Sequence, residues 1–347
     1  ITCRDWSSDV CSSDLIGVNF NGDLELAQKS IEVAAACGAD AVKFQTFRAD
    51  EFVADKSLTY SYTLPDGTVV TETQYEMFKR LELPAEWHKI LQRHAQMHGV
   101  DFLSSAADRQ AVDLLVSLAV PAIKIASEDL INVRLLEYVA TTSLPVILST
   151  GMANLDEIKH AVKIFEDAGH HSLTILHCIS AYPAAPESCN LRRILLLQEQ
   201  FNYPIGFSDH TIGADAAAIA VVLGASVIEK HFTIDHHLPG PDHAMSADPA
   251  QFRELVASVR RTEAMLGNGS LDYNLAEETG RKEFRRSIVA ARAINTGEVI
   301  EEDMLDYKRP GGGLKPYQRC LLLGKRATCA IARDSLLLPG DVTDADT

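Results

Sequence analysis

Short apolar runs alternate with longer stretches in which apolar residues recur at helical spacing, and this rhythm holds from residue 15 to about residue 266. The runs at 41–44, 101–104, 122–125, 146–149, 173–177, 205–208 and 227–230 are too short for helices and predict strands; I-G-V-N from Leu15 adds a first one. Between them, Leu24, Ala27, Ile31 and Ala34 lie on one helical face, with Asn21-Gly22-Asp23 as the start and Gly38 as the C-cap. Further helices are predicted at 84–98, 108–118, 132–140, 154–168, 190–200, 213–223 and 249–265. Asn154 with Glu157 three residues on, and Asp248 before Pro249, are start signals with a mechanism: a side chain caps backbone N–H groups that have no helical partner. Eight strands alternating with eight helices predict a (β/α)8 TIM barrel.

Three stretches depart from the rhythm. Residues 1–14 lack apolar periodicity, echo S-S-D-V in S-S-D-L, and read as a non-native leader before a barrel domain at 15–266. Residues 46–83 form a connection of about 40 residues with a turn at Pro65-Asp66-Gly67, a length that in a compact domain points to function. After Gly267 a polar linker, 267–283, leads to a small domain, 284–347, with short β-like runs. Within it I-N-T-G-E-V-I-E-E-D from Ile294 is echoed by L-L-P-G-D-V-T-D-A-D from Leu337.

Composition narrows the function classes. A chain of 347 residues with 46% hydrophobic content can build a large core. Its net charge of -16 opposes nucleic-acid binding. The longest apolar run, 114–126, is broken by Pro121 and Lys124, so membrane insertion is not expected. Seven scattered cysteines without a C-x-x-C pair suggest neither a disulfide framework nor a structural zinc site, and a reducing cytoplasm fits them.

In a barrel of this kind, substrates meet the C-terminal ends of the strands. Lys43, Ser105, Lys124, Ser127, Ser149, His177, Ser180, Tyr182, Ser208, His210 and His231 all fall in or just after predicted strand ends. His210 and His231 follow strands joined by one helix, and adjacent parallel strands lie roughly 4.8 Å apart, close enough for two imidazoles to share a divalent ion; alternatively both are ordinary polar residues at strand ends. Two lysines and several serines beside an ion could hold a phosphate and a carboxylate. Each serine alone could equally be a turn cap, whereas Lys124, inside V-P-A-I-K-I-A, must find a partner or lose its charge. In the small domain, Y-K-R-P-G-G-G-L puts Arg309 on a glycine-flanked loop, either as a solvated rim residue or as a guanidinium for a neighbouring active site.

Several motifs occur in one order: I-G-V-N-x-N-G-D, A-V-K-F-Q-T-F, K-I-A-S, V-I-L-S-T-G-M, L-H-C-x-x-x-Y-P, G-F-S-D-H-T, V-I-E-K-H-F-T, P-G-P-D-H and K-R-P-G. Over about residues 16 to 347 the chain resembles the N-acetylneuraminate (sialic acid) synthase family, which includes legionaminate and pseudaminate synthases. The resemblance implies a TIM barrel followed by an antifreeze-like (SAF) domain, and condensation of phosphoenolpyruvate with an N-acyl amino sugar aided by Mn2+ or Mg2+. It implies His210 and His231 as metal ligands, and Lys43, Ser105, Lys124, Ser127, Ser149 and Ser208 as phosphoenolpyruvate contacts. It implies Gln45, Tyr182 and Asp242 as sugar contacts, with Ser180 where an asparagine is common, and a proton-transfer carboxylate that is either Asp129, at the position where many relatives have glutamate, or Glu128 before it. Arg309 matches an arginine given to a partner subunit, which implies a domain-swapped homodimer. Two positions depart from the family's pattern: Leu15 stands for a glutamate and Phe20 for a histidine, from which reduced activity or impaired barrel closure is expected.

Overall fold

The computed structural model describes residues 10–64 and 66–344. The chain divides after Gly267 into two compact units. In the first, eight parallel strands close into a barrel: β1 (Cys11–Gly17), β2 (Ala41–Thr46), β5 (Asp101–Ala106), β6 (Ile123–Ile125), β7 (Val146–Ser149), β8 (Leu173–Cys178), β9 (Ile205–Asp209) and β10 (Val227–His231), with β1 pairing both β2 and β10. The expected (β/α)8 architecture is therefore present. The strand that closes it begins at Cys11, four residues before the predicted start, and Ser12 is held by its N–H donating to Asp40 Oδ2 at 2.8 Å.

The start signals act as read. Asn154 caps the helix Leu155–Asp167 in a capping box with Glu157, and Asp248 does the same with Gln251 for Pro249–Leu266. The first of these helices buries Ile158, Ala161, Val162 and Phe165, a spacing that keeps one face on the barrel.

The connection after β2 is not structureless. It holds the helix Ala49–Phe52, an antiparallel hairpin of β3 (Thr59–Thr63) and β4 (Val69–Thr73), and the helix Gln74–Leu81. Gly67, at a φ of +86°, sits in the turn between the two strands.

Two further two-stranded sheets build the second unit: β11 (Ser287–Ala290) with β12 (Leu305–Lys308), and β13 (Arg326–Ala327) with β14 (Val342–Thr343). Ile288, Ile294, Ile300, Leu322 and Leu337 anchor its core. The internal echo has a structural counterpart: Val299 from one copy and Thr343 from the other both pair antiparallel with Arg326. The stretch expected as a linker carries the helix Glu278–Glu283, and Lys282 accepts a backbone hydrogen bond from Gly311 at 2.7 Å, which ties it into this unit. No helix among the described residues is long and apolar enough to cross a membrane.

Candidate active site

Side chains alternate between the two faces of a strand, so every second residue of each barrel strand points to the axis. The lower inward layer is apolar: Ala41, Leu103, Ala122, Ile147, Leu176 and Val227 pack together with Cys11. Two residues on, towards the C-terminal ends, the same strands present Lys43, Ser105, Lys124, Ser149, Cys178 and Glu229. The barrel is thus plugged below and polar above. A cavity of about 690 Å³ opens over that polar layer.

Glu229 is its electrostatic centre. Its Oε2 lies 3.5 Å from Lys43 Nζ and its Oε1 3.9 Å from Lys124 Nζ, and Oε1 accepts from Ser208 Oγ at 2.7 Å. Lys124 also donates to Ser149 Oγ at 2.7 Å and to the Ile125 carbonyl at 3.0 Å. Burial pushes the Lys43 ammonium down to about 8 despite the nearby Glu229. Burial opposes charge on Glu229 too, but Lys124 and Lys43 outweigh it and hold the carboxyl at about 2. Two buried cations thus share one buried anion, an excess of positive charge suited to an anionic ligand.

The other residues expected here line the same cavity: Gln45, Ser105, Ser127, Asp129, Tyr182 and Asp242. Ser127 Oγ accepts from the Gly151 N–H at 3.0 Å; a Cβ on Gly151 would come within 2.7 Å of Ser127 Oγ and 2.2 Å of Ser180 Oγ, so only glycine permits this approach. Ser180, also expected here, is not among the lining residues; its Oγ lies 3.9 Å from Cys178 Sγ. Asp129 is 7% exposed and accepts from Asn132 Nδ2 at 3.2 Å; burial raises its carboxyl to about 6.

His210 and His231, at the ends of neighbouring strands, have ring centroids 5.2 Å apart. The Tyr182 ring lies tilted by 40° to that of His210, with centroids 4.3 Å apart. The Nδ1 of His210 donates to the Ile179 carbonyl at 2.8 Å, which leaves Nε2 with its lone pair. The Nδ1 of His231 is buried without a hydrogen-bond partner, 3.6 Å from Asp242 Oδ2. One imidazole with its tautomer fixed and a second with an orphaned buried nitrogen fit a divalent ion. Among the described residues, the one trio of His, Cys, Asp or Glu donor atoms mutually within 4.8 Å is Glu32, His94 and His98, outside this cavity. The cavity therefore offers two imidazoles and leaves further positions for water or substrate oxygen.

Leu15 lines the cavity beside Lys43, its partner in register, and so puts an apolar group where the resemblance expects a carboxylate. Phe20 is fully buried and packs against Phe44 and Trp87. Arg309 belongs to the second unit, following β12, with its guanidinium 5.4 Å from the Phe284 ring centroid. Sequence reasoning missed Glu229 and the hairpin residues Tyr60 and Tyr62, which also line the cavity.

The NeuB family model matches residues 30–271 and the SAF domain model residues 285–343. The chain is 40% identical over 326 residues to the N,N'-diacetyllegionaminic acid synthase of Legionella pneumophila, covering 93% of this chain and 91% of that one. It is 35% identical over 326 residues to a pseudaminic acid synthase of Campylobacter jejuni, covering 94% of each. Among solved structures, the N-acetylneuraminic acid (sialic acid) synthetase of Leptospira borgpetersenii, determined with citrate, superposes with a TM-score of 0.72 at 32% identity, over 81% of this chain and 94% of that one. With an eight-stranded barrel, a polar layer of buried lysines above its apolar plug and a SAF domain, the chain belongs to the NeuB family and is a synthase of the sialic-acid type.

Proposed function

We propose that this enzyme condenses phosphoenolpyruvate with the open-chain form of an N-acyl amino sugar, N-acetylmannosamine or a 2,4-diacetamido-trideoxyhexose, to give a nine-carbon 2-keto acid and phosphate. The observation that carries the reading is the convergence of two buried lysines and two facing imidazoles on one cavity. Lys43, Lys124, Ser105, Ser127, Ser149 and Ser208 would hold the phosphate and carboxylate of the enol phosphate, beside the Glu229 carboxylate that lies near both lysines. Gln45, Tyr182 and Asp242, which line the cavity, would meet the sugar.

A divalent ion, Mn2+ or Mg2+, held by His210 and His231 would supply Lewis-acid polarisation of the sugar aldehyde. C3 of phosphoenolpyruvate then bonds to the aldehyde carbon, the aldehyde oxygen takes a proton, water adds at C2, and phosphate leaves by C–O cleavage. Asp129, with a carboxyl raised to about 6, is suited to accept the proton that the water gives up near neutral pH. The reaction belongs in the cytoplasm, where phosphoenolpyruvate is made. The family resemblance adds Arg309 from a second copy of the chain, in a domain-swapped homodimer.

A second reading, a catalytically impaired relative serving as a sugar-binding or assembly module, is favoured by one observation: Leu15 in the cavity wall has no carboxylate to offer a sugar hydroxyl. Phosphate release from phosphoenolpyruvate, assayed with each candidate sugar and a divalent ion, separates the two. Release that depends on one sugar supports the synthase and names its substrate; binding of a sugar without release supports the module. Mixed dimers of Arg309→Ala and His231→Ala subunits test the swap, because one intact site forms only if the arginine acts across the dimer.

A further inference from the structure

Glu32, His94 and His98 lie apart from the cavity, on two helices of the outer ring. His94 and His98 are four residues apart at the end of the helix Ala85–Met97, where His98 is the C-cap, so they share one face. Glu32 projects from the last turns of the helix Leu24–Ala36. One ligand atom from each of the three lies within 4.8 Å of the others. His94 Nε2 is buried without a hydrogen bond, although Glu32 Oε1 is only 3.4 Å away, and the His94 and His98 ring centroids are 4.8 Å apart.

We propose that Glu32, His94 and His98 form a second metal site, a clamp that joins these two helices around a zinc-like transition-metal ion with water as the fourth ligand. The distances favour it. Zinc–nitrogen bonds of roughly 2.0 Å put tetrahedral ligand atoms roughly 3.3 Å apart, close to the existing separation of His94 Nε2 and Glu32 Oε1. The carboxylate is already divided between two tasks: Lys29 Nζ donates to Oε2 at 2.9 Å, leaving Oε1 to face the imidazole. The negative end of the histidine-bearing helix adds attraction for a cation at its last turn. Two imidazoles and one carboxylate select zinc, nickel or copper over magnesium or calcium, which prefer all-oxygen shells.

Equilibrium dialysis of the full chain against Zn2+ tests the clamp, with His98 chosen because it is exposed and its loss leaves the core intact. The wild-type chain should bind one ion more than His98→Ala, and Glu32→Gln should weaken that ion by at least about tenfold. His210→Ala/His231→Ala should keep it, and Zn2+ should raise the thermal unfolding midpoint of that variant but not of the same variant carrying His98→Ala. Co2+ bound at this place should give visible absorption that His98→Ala lacks. Equal stoichiometry and equal Co2+ spectra in the wild-type chain and His98→Ala would overturn the proposal.

Discussion

Glu229 Oε2 lies 3.5 Å from Lys43 Nζ, and both side chains are almost wholly buried. A buried ion pair is held less by its net attraction than by the penalty for leaving either charge alone. Here Lys124 shares the same carboxylate, so its removal would strand two ammonium groups.

Glu229→Gln is therefore expected to lower the free energy of unfolding by about 3 kcal/mol, and inorganic phosphate should recover part of that loss by replacing the missing anion. Urea unfolding with and without phosphate measures both effects. A variant as stable as the parent would show that Glu229 does not neutralise the lysines.

Asp129 links stability to pH with a definite sign. Its folded-state carboxyl, at about 6, lies above the ordinary 3.8, so the fold favours the neutral form. That contribution is complete at low pH, below 3.8, and is lost as pH rises through about 6. Asp129→Asn should consequently stabilise the protein at pH 8 by up to about 3 kcal/mol, with the gain shrinking towards zero near pH 4, and should slow turnover by roughly 10²-fold or more. Denaturant unfolding at the two pH values checks the sign; an equal effect at both would contradict the assignment of the raised carboxyl.

Ser12, in the strand that closes the barrel, is 1% exposed and its hydroxyl has no hydrogen-bond partner. Ser12→Ala removes an unsatisfied polar atom and should stabilise the fold by about 1 kcal/mol. A loss of stability in chemical denaturation would mean that the hydroxyl has a partner after all.

Much of this architecture is legible in the chain because the barrel repeats one simple rule eight times. Short apolar runs mark the strands, and a lysine embedded in such a run, as at Lys124, has to be inward and paired. Glu229 was missed because V-I-E-K-H reads as a strand with a polar tail. The signal was nevertheless present, since Glu229 is two residues before His231 and residues so spaced share a face. The intervening Lys230 faces the other way and pairs with the buried Asp209 at 2.9 Å, and it also donates to the Thr211 carbonyl.

The hairpin of β3 and β4 was hidden for a different reason. T-Y-S-Y-T does alternate, with Tyr60 and Tyr62 on one face, but it is short and largely exposed, and its partner V-V-T-E-T shows no such alternation, so the pair reads as connection rather than strand. In the first strand, the S-S-D segment interrupts the apolar pattern, so the strand is legible only from Leu15; parallel pairing with two neighbours and the burial of Cys11, Leu15 and Ile16 place it in the sheet.

If His210 and His231 hold a divalent ion over an anion site built on Lys43 and Lys124, turnover must depend on that ion and on both imidazoles. The most direct test follows phosphate release from phosphoenolpyruvate by the chelator-stripped chain, supplied with the matching amino sugar, with and without Mn2+. The account predicts release only when sugar and ion are both present, and none from His210→Ala or His231→Ala under the same conditions; release that persists without the ion, or survives loss of either histidine, would contradict it.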